Sequence, residues 1–491
     1  SAQFSPYNRI EVMPLAQGDL KVEVNRDFHQ YIHDLSEKRI AAVTDSADKA
    51  VLTLYRDAYD IPYRLAPNRG SALIIGAGTG NDAQAAIRNG FTNVTAVDID
   101  EVILDIGVLR HPERPYSVEG VRRVVNDGRA FLEQYDGPDF DVVSFGLVDS
   151  HAMFSSMSSL RLEAYLYSRE GLRAAWDHVA EDGLLVVTFS VFAGEWISDR
   201  IYWTLAAATE RAPVMVHHGM NVSRSFVVAR NLDAVDLSRV APYPVLVSRT
   251  DPLNVHVTTD DWPFLYLMPE ATPWGYLALL LAVLATSAVA VVKVFGRRAI
   301  GASFHAPLFF MGAAFLLLET RGVTVLSLLF GSTWAVNVAV FAGILATALG
   351  ANLWVTHARP RHVAPWFVPL FVALLALWLV PVGALNEFGV GMRGVLGGLL
   401  IGIPVGFAGI IVSMFLERSE DSSAALGSNL LGAVLGGCLE YLSMMTGLRA
   451  LVLLAAVLYL AALYVWTREG ASTDTSSFPG NGDGLIRRGT T

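Results

Sequence analysis

The chain has 491 residues and a formal net charge of −10, and 53% of its residues are hydrophobic. Its mean hydropathy of +0.42 excludes an ordinary soluble protein. The apolar excess lies almost wholly after residue 273, which indicates at least two regions. The negative charge argues against nucleic acid as a partner. The single cysteine, Cys438, excludes a disulfide framework and a cysteine metal site, and we expect no bound metal.

The first residues of the chain predict a small region of strands and one helix. Residues 9–12 and 20–24 alternate in polarity, which predicts a β-hairpin. Residues 48–59 carry apolar side chains at helical spacing, and Pro67 follows that pattern as a break. We therefore place an N-terminal β-hairpin and helix region at residues 1–66.

Residues 67–231 alternate between predicted strands and predicted helices. The predicted strands are 72–76, 93–98, 121–126, 140–145, 184–190, 214–217 and 225–228. The predicted helices lie near 81–89, 101–109, 162–180 and 195–209. This alternation is typical of an α/β Rossmann-like, doubly wound sheet, which binds ligands at the carboxyl ends of its strands. The Pro- and Asp-rich residues 232–272 are predicted to form a connector.

A glycine-rich turn follows the first strand of this domain. Residues 73–75 lead into Gly76-Ala77-Gly78-Thr79-Gly80, where a tight turn lets the backbone approach a ligand closely. About 18 residues later Asp98 ends the next strand, where its carboxylate can accept hydrogen bonds from both hydroxyls of a ribose. Asp127 and Asp149 also follow strands. The pattern predicts a nucleoside site, with a nicotinamide dinucleotide or a simple structural turn as the alternatives.

Seven apolar segments follow residue 273. They lie near 274–294, 305–329, 332–355, 365–385, 391–416, 423–445 and 449–466. Each can cross a bilayer core of roughly 30 Å, so residues 273–467 predict an α-helical transmembrane domain of about seven helices. Glycines at intervals of four residues, among them Gly402, Gly406, Gly432 and Gly436, predict close packing of these helices. The Gly-, Ser- and Thr-rich residues 468–491 predict a disordered tail.

The positive charges bear on which side of the membrane the α/β domain faces. After the first, third and fifth segments and in the tail lie Lys293, Arg297, Arg298, Arg359, Arg361, Arg418, Arg468, Arg487 and Arg488. The opposite side has only Arg393 and Arg449, so the positive-inside rule places the α/β domain outside the cytoplasm. A soluble nucleotide ligand argues for the cytoplasm, which we favour.

Several motifs together resemble the spermidine/spermine synthase family. They are Ser5–Ile10, the Gly76–Gly80 turn, Val97–Asp100, Asn126–Leu132 and the acidic loop around Asp149. Asp260–Tyr266 and Asn429–Val434 are similar to the membrane-embedded bacterial branch of that family. The resemblance implies a class I methyltransferase fold and a bacterial inner-membrane protein. It also implies S-adenosylmethionine or its decarboxylated form as the cosubstrate.

The resemblance further implies which residues bind the cosubstrate. They are Gly76, Gly78, Gly80, Asp82, Asp98, Ile99, Asp127 and Gly128. The three glycines of the turn would lie against the cosubstrate, and Asp98 would hold its ribose. Asp127 would accept a hydrogen bond from the adenine amino group, which a carboxylate at a strand tip can do.

Asp149 and His151 are the catalytic residues that we expect. A sulfonium carbon is already activated, so a carboxylate beside the attacking amine mainly has to orient it and accept its proton. The structural alternatives are that Asp149 caps a helix and that His151 only forms hydrogen bonds within its loop. The loop departs from the family, because Gly146 stands where aminopropyltransferases have a first aspartate. Tyr55-Arg56 similarly replaces an expected Tyr-His pair.

The sequence leaves two functions open. The first is a membrane-bound transferase that moves an aminopropyl or methyl group onto an amine, such as a polyamine or a lipid-associated acceptor. The second is a transporter or sensor whose α/β domain binds a nucleoside or polyamine without turnover. Either function is compatible with a homo-oligomer.

Overall fold

The structure, a computed structural model, describes most of the chain. The described ranges are 2–15, 18–147, 165–246, 255–268, 274–297, 301, 303–330, 334–380 and 382–475. The predicted catalytic residues Asp149 and His151 lie outside these ranges, as does most of the predicted tail. The chain divides into two compact units, of which the first contains the α/β domain and the second contains most of the apolar helices.

A four-stranded antiparallel sheet opens the chain. Its strands, in spatial and sequence order, are β1 (Ala2–Phe4), β2 (Arg9–Pro14), β3 (Leu20–Val24) and β4 (Asp27–Ile32). The predicted hairpin is the β2–β3 pair, and the structure adds one strand on each side. Asn25 and Arg26 join β3 to β4 with φ of 54° and 75°, the positive values that a two-residue type I′ hairpin turn requires.

Two helices connect this sheet to the α/β domain. They are α1 (Glu37–Ala42) and α2 (Ser46–Leu65). The carboxylate of Asp45 caps α2 by accepting hydrogen bonds from the N–H groups of Ala47 and Asp48. The helix continues beyond the predicted 48–59 and includes Pro62. Its last turns are buried against the main sheet through Ile61 and Tyr63.

The main sheet has eight strands, of which five are parallel. They are β5 (Ser71–Ile75), β6 (Asn93–Asp98), β7 (Val121–Val125), β8 (Phe140–Phe145), β9 (Val179–Ser190), β10 (Val214–Val216), β11 (Ser223–Ala229) and β12 (Val245–Leu246). Their spatial order is β12-β10-β11-β9-β8-β5-β6-β7, with β5 to β9 parallel and the last three antiparallel. The predicted doubly wound α/β sheet is confirmed.

Helices cover both faces of this sheet. They are α3 (Asn81–Arg88), α4 (Glu101–Arg110), α5 (Gly128–Gln134), α6 (Arg169–Asp177) and α7 (Glu195–Thr209). The strand β5 shows why both faces must be covered. Leu73 and Ile75 pack into one buried cluster and Ala72 and Ile74 into another, as expected for a parallel strand with no solvated side.

Part of the predicted connector packs into the α/β domain. The short strand β12 pairs with β10, and Phe264 and Leu265 are fully buried. One guanidinium nitrogen of Arg200, on α7, donates to the carbonyl oxygens of Leu265 and Leu267, each at 2.7 Å. Residues 255–268 are therefore held against α7 by hydrogen bonds from the Arg200 side chain to their carbonyl oxygens.

The second half of the chain is helical. Its helices are α8 (Trp274–Phe295), α9 (Ala306–Phe330), α10 (Trp334–Ala358), α11 (Phe367–Leu379), α12 (Val390–Arg418), α13 (Ser422–Leu439), α14 (Ser443–Thr446) and α15 (Ala450–Thr475). Within the described residues, six helices are long and apolar enough to cross a membrane. The predicted segment near 365–385 is a shorter apolar helix, since the backbone turns extended at Val380.

Glycines bring several of these helices into close contact. A side chain at Gly432 or Gly436, on α13, would overlap the backbone of Phe309 or Ala313 on α9. A Cβ at Gly402 would lie 2.9 Å from the methyl carbon of Thr347. These contacts are the close packing that the glycine spacing predicts.

Candidate active site

A cavity of about 410 Å³ opens at the carboxyl ends of the parallel strands. It lies beside β5, whose neighbours in the sheet are β6 on one side and β8 on the other. The strand order reverses at this point, which is the usual ligand site of such sheets. The small N-terminal sheet and α2 supply its remaining walls. Of the sequence-predicted residues, those lining the cavity are Gly76, Gly78, Asp82, Asp98, Ile99, Asp127 and Gly128.

The glycine turn after β5 requires glycine at three positions. Gly76, Gly78 and Gly80 have φ of 72°, 56° and 107°, which other residues rarely adopt. A Cβ at Gly80 would also lie only 2.6 Å from Cγ of Pro115. The hydroxyl of Tyr116 donates to the carbonyl oxygen of Gly78 at 2.8 Å, and this hydrogen bond stabilises the turn. The turn therefore presents backbone, without side chains, to the cavity.

Asp98 ends β6 and is held by backbone amides. Its Oδ2 accepts a hydrogen bond from the N–H of Gly78 at 2.8 Å, and its Oδ1 accepts from the N–H of Asp100 at 3.0 Å. Burial raises the pKa of Asp98 to about 6 against the opposing effect of these amide donors. The carboxylate is thus oriented before any ligand arrives, and it keeps lone pairs for further donors.

Asp127 and Gly128 follow the end of β7, the next strand of the sheet, and begin α5. Asp127 caps α5, because its Oδ1 accepts from the N–H of Ala130 at 3.0 Å. A Cβ at Gly128 would lie 2.6 Å from Cγ2 of Ile75, so only glycine fits between this turn and β5. The capping bond fixes the Asp127 carboxylate at the edge of the cavity.

Asp82 lies on the other side of the glycine turn, in the first turn of α3. Only 8% of its surface is exposed, and burial raises its pKa to about 7. Gly146, directly after β8, faces this carboxylate: a Cβ there would lie 2.9 Å from Oδ2 of Asp82. The structure therefore brings Asp82 to the strand end where the family resemblance leads us to expect an aspartate.

Several polar residues of the cavity were not predicted from the sequence. They are Gln30 and Tyr31 on β4, Tyr59 on α2, and Asn221. Thr79 donates its hydroxyl proton to Oε1 of Gln30 at 3.0 Å, which ties β4 to the glycine turn. The turn at Asn25-Arg26, followed by residues of alternating polarity, was the available signal for β4.

Tyr55 and Arg56 differ in what they contact. The hydroxyl of Tyr55 donates to Oδ1 of Asn221 at 2.9 Å, and both residues line the cavity. Arg56 does not line it, and its Nε lies 3.9 Å from a carboxylate oxygen of Asp60. Of the two positions that depart from the expected Tyr-His pair, only the tyrosine contributes to the site.

Fold and cavity together define an α/β domain of the class I methyltransferase type. Its central parallel sheet, its glycine turn at the switch between β5 and β8, and the acids at the ends of β6 and β7 are the features of that class. Among the described residues, no group of three His, Cys, Asp or Glu side chains converges as a metal site.

The family model of the spermine/spermidine synthase domain matches residues 55–193. This match confirms the resemblance for the α/β domain, and with it the prediction of a transferase at the level of that family. The match does not reach the apolar helices, so the membrane branch stays a prediction. No curated protein sequence is significantly similar to the chain.

The chain is also similar to solved structures of spermidine synthases. Spermidine synthase from Thermotoga maritima is 14% identical with a TM-score of 0.38, over 57% of this chain and 87% of that chain. A spermidine synthase in complex with the transition-state analogue AdoDATO gives 14% and 0.38, over 51% and 81%. A probable spermidine synthase from Corynebacterium glutamicum ATCC 13032 gives 13% and 0.36, over 47% and 80%. At these values the likenesses carry no argument about function.

Proposed function

We propose that the protein transfers an aminopropyl group from decarboxylated S-adenosylmethionine to an amine, and that its apolar helices hold it in a membrane. The observation that carries the proposal is a cavity lined by carboxylates at the ends of a methyltransferase-type sheet. The cavity-lining aspartates are Asp27, Asp82, Asp98, Asp100 and Asp127. The family match to residues 55–193 supports the same chemistry.

The charge of the cavity favours the decarboxylated cosubstrate. That form carries a sulfonium and an ammonium group, whereas S-adenosylmethionine adds a carboxylate that has to find a cation. Among the described residues of the lining the one arginine is Arg129, which already contacts Glu133 at 2.8 Å and Asp260 at 3.2 Å. An additional carboxylate would therefore meet an acidic wall, while a second positive charge is attracted by it.

The adenosine would lie along the β6 and β7 strand ends. Asp98 would accept hydrogen bonds from the ribose hydroxyls, since its orientation is fixed by two amides. Asp127 would accept from the adenine amino group, and Gly128 and Ile99 would leave room for the flat base. These residue roles are proposals, as are Asp149 and His151 as catalytic residues.

The reaction needs little covalent help from the protein. The amine lone pair attacks the carbon next to the sulfonium sulfur, the C–N bond forms, and the C–S bond breaks with its electrons passing to sulfur. A neutral thioether leaves, and the amine loses a proton to a base. The protein's contribution is to place the unprotonated amine in line with the breaking bond and to accept that proton.

A transfer experiment tests the proposal directly. The purified full chain in detergent is incubated with decarboxylated S-adenosylmethionine labelled in its aminopropyl group and a series of α,ω-diamines, and in parallel with S-adenosylmethionine labelled in its methyl group. We expect label in the diamine only from the decarboxylated form. Transfer of methyl label alone would refute the aminopropyl assignment.

Calorimetry on both forms of the cosubstrate separates the transferase from the sensor or transporter. Tight binding of the decarboxylated form, with label transferred to no diamine or lipid amine, would favour a domain that binds without turnover. Tighter binding of S-adenosylmethionine than of its decarboxylated form would contradict the charge argument, because it would require a cationic partner for the carboxylate.

A further inference from the structure

Gly146, directly after β8, has no side chain, and a carboxylate from another element lies beside it. A Cβ at Gly146 would lie 2.9 Å from Oδ2 of Asp82 and 3.6 Å from the carbonyl oxygen of Gly76. A side chain at position 146 would therefore contact the carboxylate of Asp82, which lies in the first turn of α3. The end of β8 and the first turn of α3 therefore meet at one position beside the cavity.

Asp82 is buried beside the cavity and has no hydrogen-bond donor among the described residues. It is 8% exposed and lines the cavity. Asp98, in the same cavity, has two backbone amides at 2.8 and 3.0 Å. Within the described part of the chain, no donor opposes the effect of burial on Asp82. A carboxylate removed from water and given no donor is unfavourable, unless a ligand supplies that donor.

The groups around Asp82 leave its proton exchangeable near neutral pH. Burial alone raises the pKa of Asp82 to about 7. The neighbours that feel its charge are Tyr59 and Tyr63 from α2 and Tyr116 beside the glycine turn. Burial raises the pKa of each phenol, and the negative charge of Asp82 raises it further. These phenols stay protonated at neutral pH, so among these four groups Asp82 is the one that titrates.

The order of the strands places Asp82 at the reacting end of the cosubstrate. Adenine at Asp127 and ribose at Asp98 would occupy the ends of β7 and β6. The sheet continues as β7-β6-β5-β8, so the 5′ side of the ribose points toward β5 and β8. The sulfonium carbon and the attacking amine therefore come to the side of the turn where Asp82 faces Gly146.

We propose that Asp82 is a catalytic carboxylate that binds the acceptor amine and takes its proton during transfer, an inference that rests on the proposed function. As the C–N bond forms and the C–S bond breaks, the proton on nitrogen passes to a carboxylate oxygen of Asp82, which later releases it to water. This role differs from the cosubstrate contact that the family resemblance implies for Asp82. The carboxylate comes from α3 instead of from position 146, where the resemblance leads us to expect an aspartate.

Rate measurements over a pH range test this role. With decarboxylated S-adenosylmethionine and a diamine, we expect kcat/KM of the wild type to show an inflection near pH 7. Asp82→Asn should lower kcat about 100-fold or more, as for other general bases, and remove that inflection. Its affinity for the thioether product should stay within about threefold, since Asp98 is untouched. An unchanged inflection with kcat within threefold would overturn the proposal.

A relocated carboxylate distinguishes chemistry from folding. Asp82→Ala combined with Gly146→Asp returns a carboxylate to the same space from the opposite side. We expect this double variant to recover at least tenfold of the rate that Asp82→Ala loses. No recovery in a double variant that still binds the thioether product would overturn the placement.

Two further outcomes identify which idea has failed. If Asp149→Asn alone removes the inflection near pH 7 and Asp82→Asn keeps it, the base is Asp149 and the inference about Asp82 is wrong, while the proposed function stands. If the wild type binds cosubstrate and transfers no label to any amine, the proposed function itself fails.

Discussion

The fold treats two aspartates of the cavity, Asp98 and Asp82, differently. Asp98 stands at the end of a strand and is oriented by the N–H groups of Gly78 and Asp100. Asp82 stands in the first turn of a helix, faces the bare strand end at Gly146, and has no donor among the described residues. Burial raises the pKa of both, to about 6 and about 7. A carboxylate held by fixed donors suits neutral hydroxyls, whereas one without donors suits a charged ligand or a proton.

Replacing Asp82 by Asn should give the largest effect on stability. A carboxyl group whose pKa is raised in the folded protein contributes fully to the free energy of unfolding below its unfolded pKa near 4. That contribution is lost as the pH rises toward the folded pKa of about 7. Asp82→Asn avoids that loss, so the variant should be more stable than the wild type above pH 7, by up to about 4 kcal/mol. Thermal unfolding of the full chain at pH 8 and at pH 5 measures the difference.

The matched control for this experiment is Asp105→Asn. Asp105 is an exposed residue of α4 whose carboxylate pairs with Arg123 at 2.9 Å. It should show no such gain at high pH, because an exposed ion pair contributes little. A lower Tm for Asp82→Asn than for the wild type at pH 8 would show that Asp82 has a donor after all, and the contrast with Asp98 would disappear.

Replacing Asp98 by Ala should have the next largest effect, on binding. The variant removes the proposed acceptor for the ribose hydroxyls and leaves the N–H groups of Gly78 and Asp100 without their partner. We expect the affinity for the thioether product to fall by about 1–3 kcal/mol, which is roughly 5- to 150-fold. Calorimetry on the variant and on Asp82→Asn tests the contrast. Equal losses in both variants would mean that both aspartates hold the nucleoside.

Replacing Gly80 by Ala changes the backbone of the glycine turn and tests whether Asp82 and Asp98 have different roles. Gly80 has φ of 107°, where a side chain is strained, and a Cβ would lie 2.6 Å from Cγ of Pro115. We expect a loss of roughly 1–2 kcal/mol in the free energy of unfolding from the backbone strain, with a further loss from the contact. Because Gly80 precedes α3, which carries Asp82, kcat should fall more than the affinity for the thioether product.

Gly18→Ala is the control for the Gly80 variant. Gly18 has φ of 91° and nothing within 4 Å of the added methyl group, so its variant measures strain without the contact. Equal losses of stability in the two variants would show that Pro115 gives way. A fall in product affinity as large as the fall in kcat would contradict the separation of Asp82 from the nucleoside.

The two aspartates also show how far the sequence could predict the site. Asp98 follows a glycine turn at a spacing that reports a strand end, so its place in the fold was predictable. The alternation of strands and helices likewise predicted the sheet, because each period reflects how a segment is buried. Asp82 was expected from the sequence only as one of the cosubstrate-binding residues after the turn. Its approach to Gly146 depends on how α3 packs beside β8, which no local pattern encodes.

The pH dependence of nucleoside binding should give the smallest effect. In the proposed site the ribose hydroxyls would bind the charged form of Asp98, so bound nucleoside would lower its pKa, and affinity would be lost as the pH falls through about 6. Between pH 7 and pH 5, the dissociation constant of 5′-methylthioadenosine, which is neutral over this range, should rise about tenfold. Measuring it in Asp82→Asn removes the second titrating carboxylate. An inflection near pH 7 that vanishes in this variant would assign the ribose to Asp82, and a constant affinity in both proteins would mean that neither aspartate binds it.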